Sequence, residues 1–284
     1  MTLTTVARAK INLTLDVLGK RPDGYHEVEM VMQTIELHDI LEFTLSGRDI
    51  TLTIEGANLN PGPDNLVRRA AELIRRRGKI RTGVKIRLAK AIPVAAGLGG
   101  GSSDAAAALL ALNELWEIGL SLSELMFLGE QLGSDVPFCL LGGTALAKGR
   151  GEQLERLPAC PHLGLVLVKP QFSVSTACVY QGYTPGPAVN RPNNRAMADA
   201  IKKKDIGGIA QNLANALESV TIKMYPEVAR IKEELIRAGA LGALMSGSGP
   251  TVFGLAQDME TARAIANRYK NDGDQVFVTA TIDG

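Results

Sequence analysis

Four glycines fall within five positions of one segment, Gly97-Leu98-Gly99-Gly100-Gly101, and two hydroxyl residues, Ser102 and Ser103, follow directly. Glycine reaches positive φ and carries no Cβ, so a glycine-rich backbone can approach a ligand closely. The alanine- and leucine-rich residues 105–112 favour a helix, whose first turn presents unpaired N–H groups and a partial positive charge. Together these features predict an anion site, and most naturally a phosphate site.

This glycine segment differs from the two common nucleotide-binding patterns. It is not Gly-x-x-x-x-Gly-Lys-Ser, and no acidic residue on a second strand follows a Gly-x-Gly-x-x-Gly turn. A flexible glycine turn before a core helix is the alternative interpretation. Such a turn rarely needs so many glycines or a Ser-Ser pair at the start of the helix. The local sequence therefore predicts an anion without identifying it.

Two charged residues elsewhere could take part in chemistry. Lys10 and Asn12 share one face of a strand predicted over residues 7–17, because apolar side chains take every odd position there. That face is either solvated or the floor of a cleft. Asp135 is a single carboxylate in an apolar stretch. It is either a helix cap or a carboxylate that the first turn of a short helix holds rigidly for chemistry.

An aromatic and an imidazole stand side by side near the N-terminus. Tyr25 and His26 follow a Pro-Asp-Gly turn, and loops of this kind often carry binding residues. Taken alone, a Tyr-His pair is more often structural. Asn65 precedes a helical pattern and is most simply its cap.

The remaining pattern supplies the elements that must position these residues. Apolar alternation predicts strands, and amphipathic runs with capping residues predict helices. We expect strands over 7–17, 28–37, 40–45, 50–54, 84–88, 142–148, 163–168, 252–256 and 275–282. We expect helices over 66–77, 105–112, 121–132, 196–203, 209–217, 227–238 and 260–269. We expect a loop over residues 184–195 and a second glycine loop over residues 245–251. We also expect two domains, 1–160 and 161–284, with the boundary near residues 158–161.

Composition excludes several classes of protein. The 284 residues are 45% hydrophobic, which allows a sizeable core, and 31 basic residues balance 30 acidic ones. A nucleic-acid scaffold would normally show a basic excess. Three cysteines without metal-ligand spacing suit a reducing cytoplasm. The sequence shows neither a signal peptide nor an apolar run of about 18 residues, so we expect a cytoplasmic protein without membrane or nucleic-acid partners.

Three motifs, taken together, resemble those of the GHMP kinases, a family that includes galactokinase, homoserine kinase and mevalonate kinase. They are Lys10-Ile11-Asn12, the segment 93–103 and Ser246-Gly247-Ser248-Gly249-Pro250. The resemblance spans essentially the whole chain. It implies an α+β fold of two domains, the first like domain 2 of ribosomal protein S5 and the second ferredoxin-like, with the active site in the cleft between them. It also implies an ATP-dependent kinase that acts on an alcohol group and uses Mg²⁺.

Two details narrow the resemblance. The loop Gly-Leu-Gly-Gly-Gly-Ser-Ser is longer than the common Gly-Leu-Gly-Ser-Ser of the family, and Arg-Pro-Asp-Gly-Tyr-His follows the first motif. Both features are similar to those members that phosphorylate the 2-hydroxyl of a cytidine-diphosphate-linked methylerythritol in the non-mevalonate isoprenoid pathway. The expected partner is therefore that small molecule, and we expect a monomer or a weak homodimer.

The resemblance also implies a role for individual positions. Lys10 and Asp135 match the catalytic residues. The residues matching the ATP site are Pro93, Val94, Ala95, Ala96, Gly97, Leu98, Gly99, Gly100, Gly101, Ser102 and Ser103, with Asn65 near the adenine. Those matching the substrate site are Asn12, Tyr25, His26, Thr176, Tyr180, Gly247, Ser248 and Gly249; Tyr25 would stack on cytosine and His26 would read its polar edge. No ligand of Mg²⁺ is identified, and Asp104 could simply favour the helix dipole.

Three other interpretations compete with this one. Another GHMP kinase, of the homoserine or mevalonate type, would have no need for base stacking by Tyr25 and His26. A catalytically inactive GHMP protein that only binds a ligand would have no need for both Lys10 and Asp135. An RNA-binding module like ribosomal protein S5 is disfavoured by the balanced charge.

Overall fold

The structure, a computed structural model, describes residues 2–184, 191–270 and 273–283. Its strands are β1 (Thr2–Lys20), β2 (His26–Leu45), β3 (Ile50–Glu55), β4 (Val84–Ala89), β5 (Thr144–Lys148), β6 (Gln153–Arg156), β7 (Gly164–Lys169), β8 (Ala214–Asn215), β9 (Gly242–Met245), β10 (Val252–Ala256) and β11 (Gln275–Ala280). Its helices are α1 (Leu66–Arg77), α2 (Gly100–Leu115), α3 (Leu122–Glu130), α4 (Val136–Leu141), α5 (Thr176–Gly182), α6 (Asn194–Lys202), α7 (Ile206–Gln211), α8 (Glu218–Met224), α9 (Glu227–Arg237) and α10 (Met259–Arg268). In these described ranges, no helix combines the length and the apolar character that crossing a bilayer requires.

The chain divides into two compact units. Unit 1 comprises Met1–Ala9, Leu37–Val94 and Gly99–Leu141, and unit 2 comprises Lys10–Glu36, Ala95–Leu98 and Gly142–Gly284. The divisions therefore fall within β1, within β2, at both ends of residues 95–98, and between α4 and β5. The domain boundary expected near residues 158–161 stays a prediction.

Unit 1 packs four helices against a small sheet. Strand β4 pairs antiparallel with the end of β2 and parallel with β3. Helix α1 begins where the sequence predicts, because the side chain of Asn65 accepts a hydrogen bond from Val67 N. Helix α2 is buried along most of its length, and its run of alanines lets α1 pack closely against it. The core of this unit includes Phe43, Ile74 and Leu88, all fully buried.

Unit 2 contains a four-stranded antiparallel sheet in the order β11-β7-β10-β9. Strand β7 has neighbours on both edges, which agrees with the continuous apolar run that predicts a fully buried strand. Helices α9 and α10 pack against this sheet. In the same unit β2 pairs with β5, β5 with β6, and β1 with β8. Segregated helices and mainly antiparallel strands confirm the α+β class.

Several elements differ from the sequence predictions. Strand β2 is continuous where the alternation predicts two strands, and α2 begins at Gly100 rather than at Ala105. The helix predicted over 209–217 is wrong beyond Gln211, because Ala214 and Asn215 pair with β1 instead. The strand predicted over 142–148 begins later, since Gly142 and Gly143 adopt positive φ.

The short elements β6, β8, β9, α5 and α8 were not predicted, because each is too brief to show a periodic pattern. The loop predicted over 184–195 lies partly outside the described residues, at positions 185–190. At its far end, Asn194 and Arg195 belong to α6 instead, with Asn193 as the cap.

Candidate active site

The first turn of α2, in unit 1, is built like an anion site. Gly99 is its N-cap, with φ at +70°, and no side chain caps the helix. The first backbone bond of the helix runs from Ser103 N to Gly99 O, at 2.9 Å. The N–H groups before it have no acceptor within the helix, and the helix dipole adds positive charge there. Gly100, Gly101 and both serines lie in this turn, which can therefore bind a phosphate.

Asp135 lies directly before α4 and close to that turn, also in unit 1. Val136 and Phe138 of α4 are almost completely buried and anchor the short helix. A Cβ placed on Gly133 would lie 3.8 Å from Ser102 Oγ, so the loop that carries Asp135 lies against the first turn of α2. The structure thus places a rigidly held carboxylate loop beside a phosphate-type turn.

Asn65 is the N-cap of α1, as the simpler interpretation has it. Its side-chain oxygen accepts a hydrogen bond from Val67 N at 3.0 Å, and its amide donates to Asn60 O at 3.2 Å. The start of α1 lies beside the first turn of α2, since a Cβ on Gly101 would lie 3.4 Å from Leu66 Cδ1. Contact of Asn65 with adenine stays a prediction.

Unit 2 brings Lys10 and Asn12 together with both glycine loops. Both side chains are buried, so the expectation of a solvated strand face is wrong. Lys10 Nζ donates to Asn12 Oδ1 at 3.0 Å, and the same oxygen accepts from Gly247 N at 3.1 Å. Lys10 N donates to Leu98 O at 3.0 Å. Within this unit, Lys10 and Asn12 thus contact residues 95–98 of the second motif and the third motif, 246–250.

The glycine segment contacts the second glycine loop through its backbone. Ser246 Oγ donates to Gly97 O at 2.9 Å, and within the second loop Gly249 N donates to Ser246 O at 2.9 Å. Ala95 adopts φ of +52°, while Ala96 and Leu98 are buried. Pro93 and Val94 belong to unit 1, and Val94 is exposed.

We predict that Gly97→Ala destabilises the protein more than Gly119→Ala does. Both glycines have φ of +76°, a conformation that costs an L-residue about 1–2 kcal/mol. A Cβ on Gly97 would also come within 2.2 Å of Ser246 O, a backbone atom, whereas a Cβ on Gly119 meets nothing within 4 Å. Urea unfolding of both variants measures the difference. Equal losses of unfolding free energy in the two variants would show that the glycine segment is not in close contact with the second glycine loop.

The second glycine loop has further side-chain supports. Asn215 Nδ2 donates to Met245 O and Gly247 O, at 2.8 Å each. Thr176 and Ser248 join through their hydroxyls at 2.8 Å, which brings two predicted substrate residues together. Local sequence patterns do not indicate this role of Asn215, because its bonds span about 30 residues and it falls in the helix predicted over 209–217.

Three of the predicted substrate residues carry aromatic rings in unit 2, and two of them, His26 and Tyr180, contact each other. The rings of His26 and Tyr180 lie 5.2 Å apart at an angle of 39°. Tyr25 is 53% exposed, and the guanidinium of Arg150 lies 4.9 Å from its ring centroid. Cations above an aromatic face are attracted to it, so Arg150 holds the Tyr25 ring in place. No local pattern predicts the role of Arg150, which lies in the turn between β5 and β6.

Asp104 lies beyond the first turn of α2 and has a specific charged partner, so its role is more than that of the helix dipole. Its side chain is buried and accepts a hydrogen bond from Lys90 Nζ at 2.8 Å. Burial raises the pKa of Asp104 to about 7, against the opposing charge of Lys90. Asp39 also pairs with Lys90, at 2.5 Å. The sequence signal for this ion pair is the presence of charged residues at positions 90 and 104, in the otherwise apolar flanks of the glycine segment.

Comparison with known proteins identifies the family of this chain. The family models described as "GHMP kinases N terminal domain" and "GHMP kinases C terminal" match residues 65–143 and 197–275. The 4-diphosphocytidyl-2-C-methyl-D-erythritol kinase of Pelotomaculum thermopropionicum is 66% identical over 284 residues, which cover 100% of this chain and 99% of that protein.

Solved structures show the same relationship. A crystal structure of 4-(cytidine 5'-diphospho)-2C-methyl-D-erythritol kinase matches with a TM-score of 0.85 and 35% identity, covering 99% of this chain and 100% of that one. Homoserine kinase from Cytophaga hutchinsonii has a TM-score of 0.81 at 22% identity, covering 99% and 95%, and shares the fold. This chain is therefore a kinase that belongs to the GHMP kinases and, within them, to the family of the 4-diphosphocytidyl-2-C-methyl-D-erythritol kinases.

Proposed function

We propose that this kinase transfers the γ-phosphoryl group of ATP to the 2-hydroxyl of 4-diphosphocytidyl-2-C-methyl-D-erythritol. The products are ADP and the 2-phosphate of the same molecule, formed in the non-mevalonate isoprenoid pathway. The observation that carries this proposal is the 66% identity, over the whole chain, to a relative of that name. The proposal includes a cytoplasmic location and a monomer or weak homodimer.

On the donor side, the first turn of α2 binds the ATP phosphates. Its uncapped N–H groups, the left-handed Gly99 and the Ser102 hydroxyl provide donors for phosphate oxygens, whereas Ser103 Oγ donates to Arg8 O within the protein. When bound, Mg²⁺ neutralises charge on those phosphates. In the part of the chain that the structure describes, no group of three or more His, Cys, Asp or Glu could hold a metal. A Mg²⁺ ion of this kind commonly binds through substrate phosphates, water and one or two carboxylates.

At the reacting atoms, Asp135 accepts the proton of the 2-hydroxyl as that oxygen attacks the γ-phosphorus. Its position before the buried α4 fixes the carboxylate, which favours this role. Lys10 is buried and bonded to Asn12, so its ammonium is oriented to stabilise the charge of the transferred group. Since transition states of phosphoryl transfer are largely loose, accurate positioning contributes more than basicity.

On the acceptor side, Tyr25 stacks on the cytosine base and His26 contacts its polar edge. Tyr25 exposes about half of its surface, and Arg150 supports the ring. Tyr180 lies against His26 and supplies a second aromatic side chain. Thr176 and Ser248, joined by their hydroxyls, offer further polar contacts. A small polyol or amino acid acceptor would need none of these aromatic side chains, and this favours a nucleotide-linked acceptor.

We predict that Tyr25→Ala raises the KM for the cytidine-linked acceptor by about 10- to 100-fold, because base stacking contributes about 1–3 kcal/mol. The KM for ATP and kcat should change little, because the proposed contact of Tyr25 is with the cytosine base of the acceptor. Tyr25→Phe keeps the aromatic face and serves as the matched control, with a KM near that of the wild type. Steady-state kinetics with each substrate varied in turn measures these effects. An unchanged acceptor KM in Tyr25→Ala would reject the stacking role.

A coupled assay of ADP release tests the proposed function directly. The acceptors to compare are 4-diphosphocytidyl-2-C-methyl-D-erythritol, homoserine, mevalonate and galactose. We expect turnover with the first alone. Turnover confined to homoserine, mevalonate or galactose would instead assign the chain to another branch of the GHMP kinases, and ATP-dependent turnover of none would indicate a protein that only binds its ligands.

A further inference from the structure

Three charged residues form a buried cluster in unit 1, outside the residues that the proposed reaction uses. The side chains of Lys90, Asp39 and Asp104 are 4%, 0% and 4% exposed. Lys90 Nζ donates to Asp39 Oδ2 at 2.5 Å and to Asp104 Oδ2 at 2.8 Å. One ammonium therefore joins two carboxylates that are distant in the sequence. We call these three residues the Lys90 cluster.

The Lys90 cluster holds the chain that enters the glycine segment. Asp39 Oδ1 accepts hydrogen bonds from Ala91 N at 2.5 Å and from Ile92 N at 2.8 Å. These two residues directly precede Pro93, the first residue of the motif 93–103 that contains the glycine segment. Asp39 thus holds the backbone of residues 91 and 92 with one carboxylate oxygen and the ammonium of Lys90 with the other.

The Lys90 cluster also holds the helix that leaves the glycine segment. Asp104 belongs to α2 and lies one turn after Gly100. A Cβ on Gly100 would lie 3.3 Å from Lys90 Nζ and 3.0 Å from Ile92 Cγ2, so the ammonium lies against the first residue of α2. The first turn of α2 is therefore tied to the entering chain by one cation.

Two observations indicate that this arrangement serves more than stability. Burying three charges is costly unless each is fully paired, and apolar residues of similar volume often stabilise a fold as well. Asp104 Oδ1 is nevertheless buried and has no hydrogen-bond partner among the described residues. Because two carboxylates offset one ammonium, the Lys90 cluster adds no net positive charge for a phosphate. Its contribution to the phosphate site is therefore one of position.

We propose that Lys90 is a positioning residue for the phosphate donor. By holding Asp39 and Asp104 together, it fixes the first turn of α2 against the chain entering the glycine segment, in the geometry that binds the ATP phosphates. This inference rests on the proposed role of that turn in binding ATP. A shift of about 1 Å in such a site is enough to lose much of its function.

Calorimetric titration with ATP alone, without acceptor, tests the proposal on the full chain. We expect Lys90→Met to weaken ATP binding by about tenfold or more, while the acceptor KM stays near the wild-type value. Lys90→Met also leaves two buried carboxylates without their cation, which lowers Tm. The double variant Lys90→Met/Asp104→Leu removes one carboxylate together with the ammonium and should recover part of the lost Tm, while Asp39 keeps its bonds to Ala91 N and Ile92 N. ATP binding should remain weak in the double variant, because the tether is still absent.

A control at the opposite end of α2 separates positioning from general destabilisation. Asn113 makes two hydrogen bonds with the backbone of Leu120, each of 2.9 Å. Asn113→Ala should lower Tm while the ATP affinity stays at the wild-type level. Return of wild-type ATP affinity in the double variant, or an equal loss in Asn113→Ala, would overturn the positioning role. Failure of the wild-type chain to bind ATP would instead refute the proposed function.

Discussion

Replacing Asp135 with Asn reduces kcat by about 10²–10⁴-fold, the usual range for the loss of a general base, and leaves ATP binding nearly intact. The asparagine has the same shape but cannot accept the proton of the acceptor hydroxyl. The backbone around it should be unchanged, because Val136 and Phe138 anchor α4 from the core and Val136 N bonds to Gly133 O at 3.1 Å. The effect should therefore appear in kcat rather than in the stability of the fold.

Single-turnover kinetics and calorimetric ATP binding together check this expectation. Glu114→Gln removes a carboxylate from an exposed position of α2 in the same unit and serves as the matched control, with normal turnover. Turnover of Asp135→Asn at the wild-type rate would remove Asp135 from the mechanism. A parallel loss of ATP affinity would make Asp135 part of the donor site instead.

The local features of this protein could be predicted from the sequence because their signals lie within a few residues. The cap at Asn65, the capping box at Ser121 with Glu124, and the buried run of β7 all appear where expected. The chemistry of the glycine segment can also be predicted locally, because the residues that form the turn are the ones expected to bind the phosphate. Lys10 and Asp135, by contrast, have no local sequence signature, so only the family resemblance identifies them as candidate catalytic residues.

The features that could not be predicted depend on pairing across long stretches of sequence. The even positions from 8 to 16 of β1 are polar, yet Lys10, Asn12 and Thr14 are buried, because the strand is covered on both faces. Hydrogen bonds between residues far apart in the sequence also hold the second glycine loop and the Lys90 cluster. In that cluster, Asp39 and Lys90 are 51 residues apart. No periodicity reports a contact at that separation.

The unusual state of Asp104 gives the protein a specific dependence of stability on pH. Burial raises the pKa of Asp104 from 3.8 to about 7, with Asp39 reinforcing the shift and Lys90 opposing it. In the unfolded chain the carboxyl is ionised above about pH 4. Between pH 4 and 7 the folded protein therefore binds more protons than the unfolded chain at this position. The contribution of Asp104 to stability is present at low pH and decreases as the pH rises through that window.

Asp104→Asn should remove this slope, because asparagine keeps an oxygen for Lys90 Nζ but does not titrate. The free energy of unfolding of the variant, relative to the wild type, should rise with pH by up to about 1.4 kcal/mol per unit between pH 4 and 7 and level off above pH 7. Urea unfolding at intervals from pH 4.5 to 8.5 measures both curves. Glu114→Gln, on the exposed side of the same helix, should follow the wild type throughout. Parallel curves for Asp104→Asn and the wild type would mean that Asp104 is ionised in the folded protein across the whole range, with Lys90 outweighing the cost of its burial.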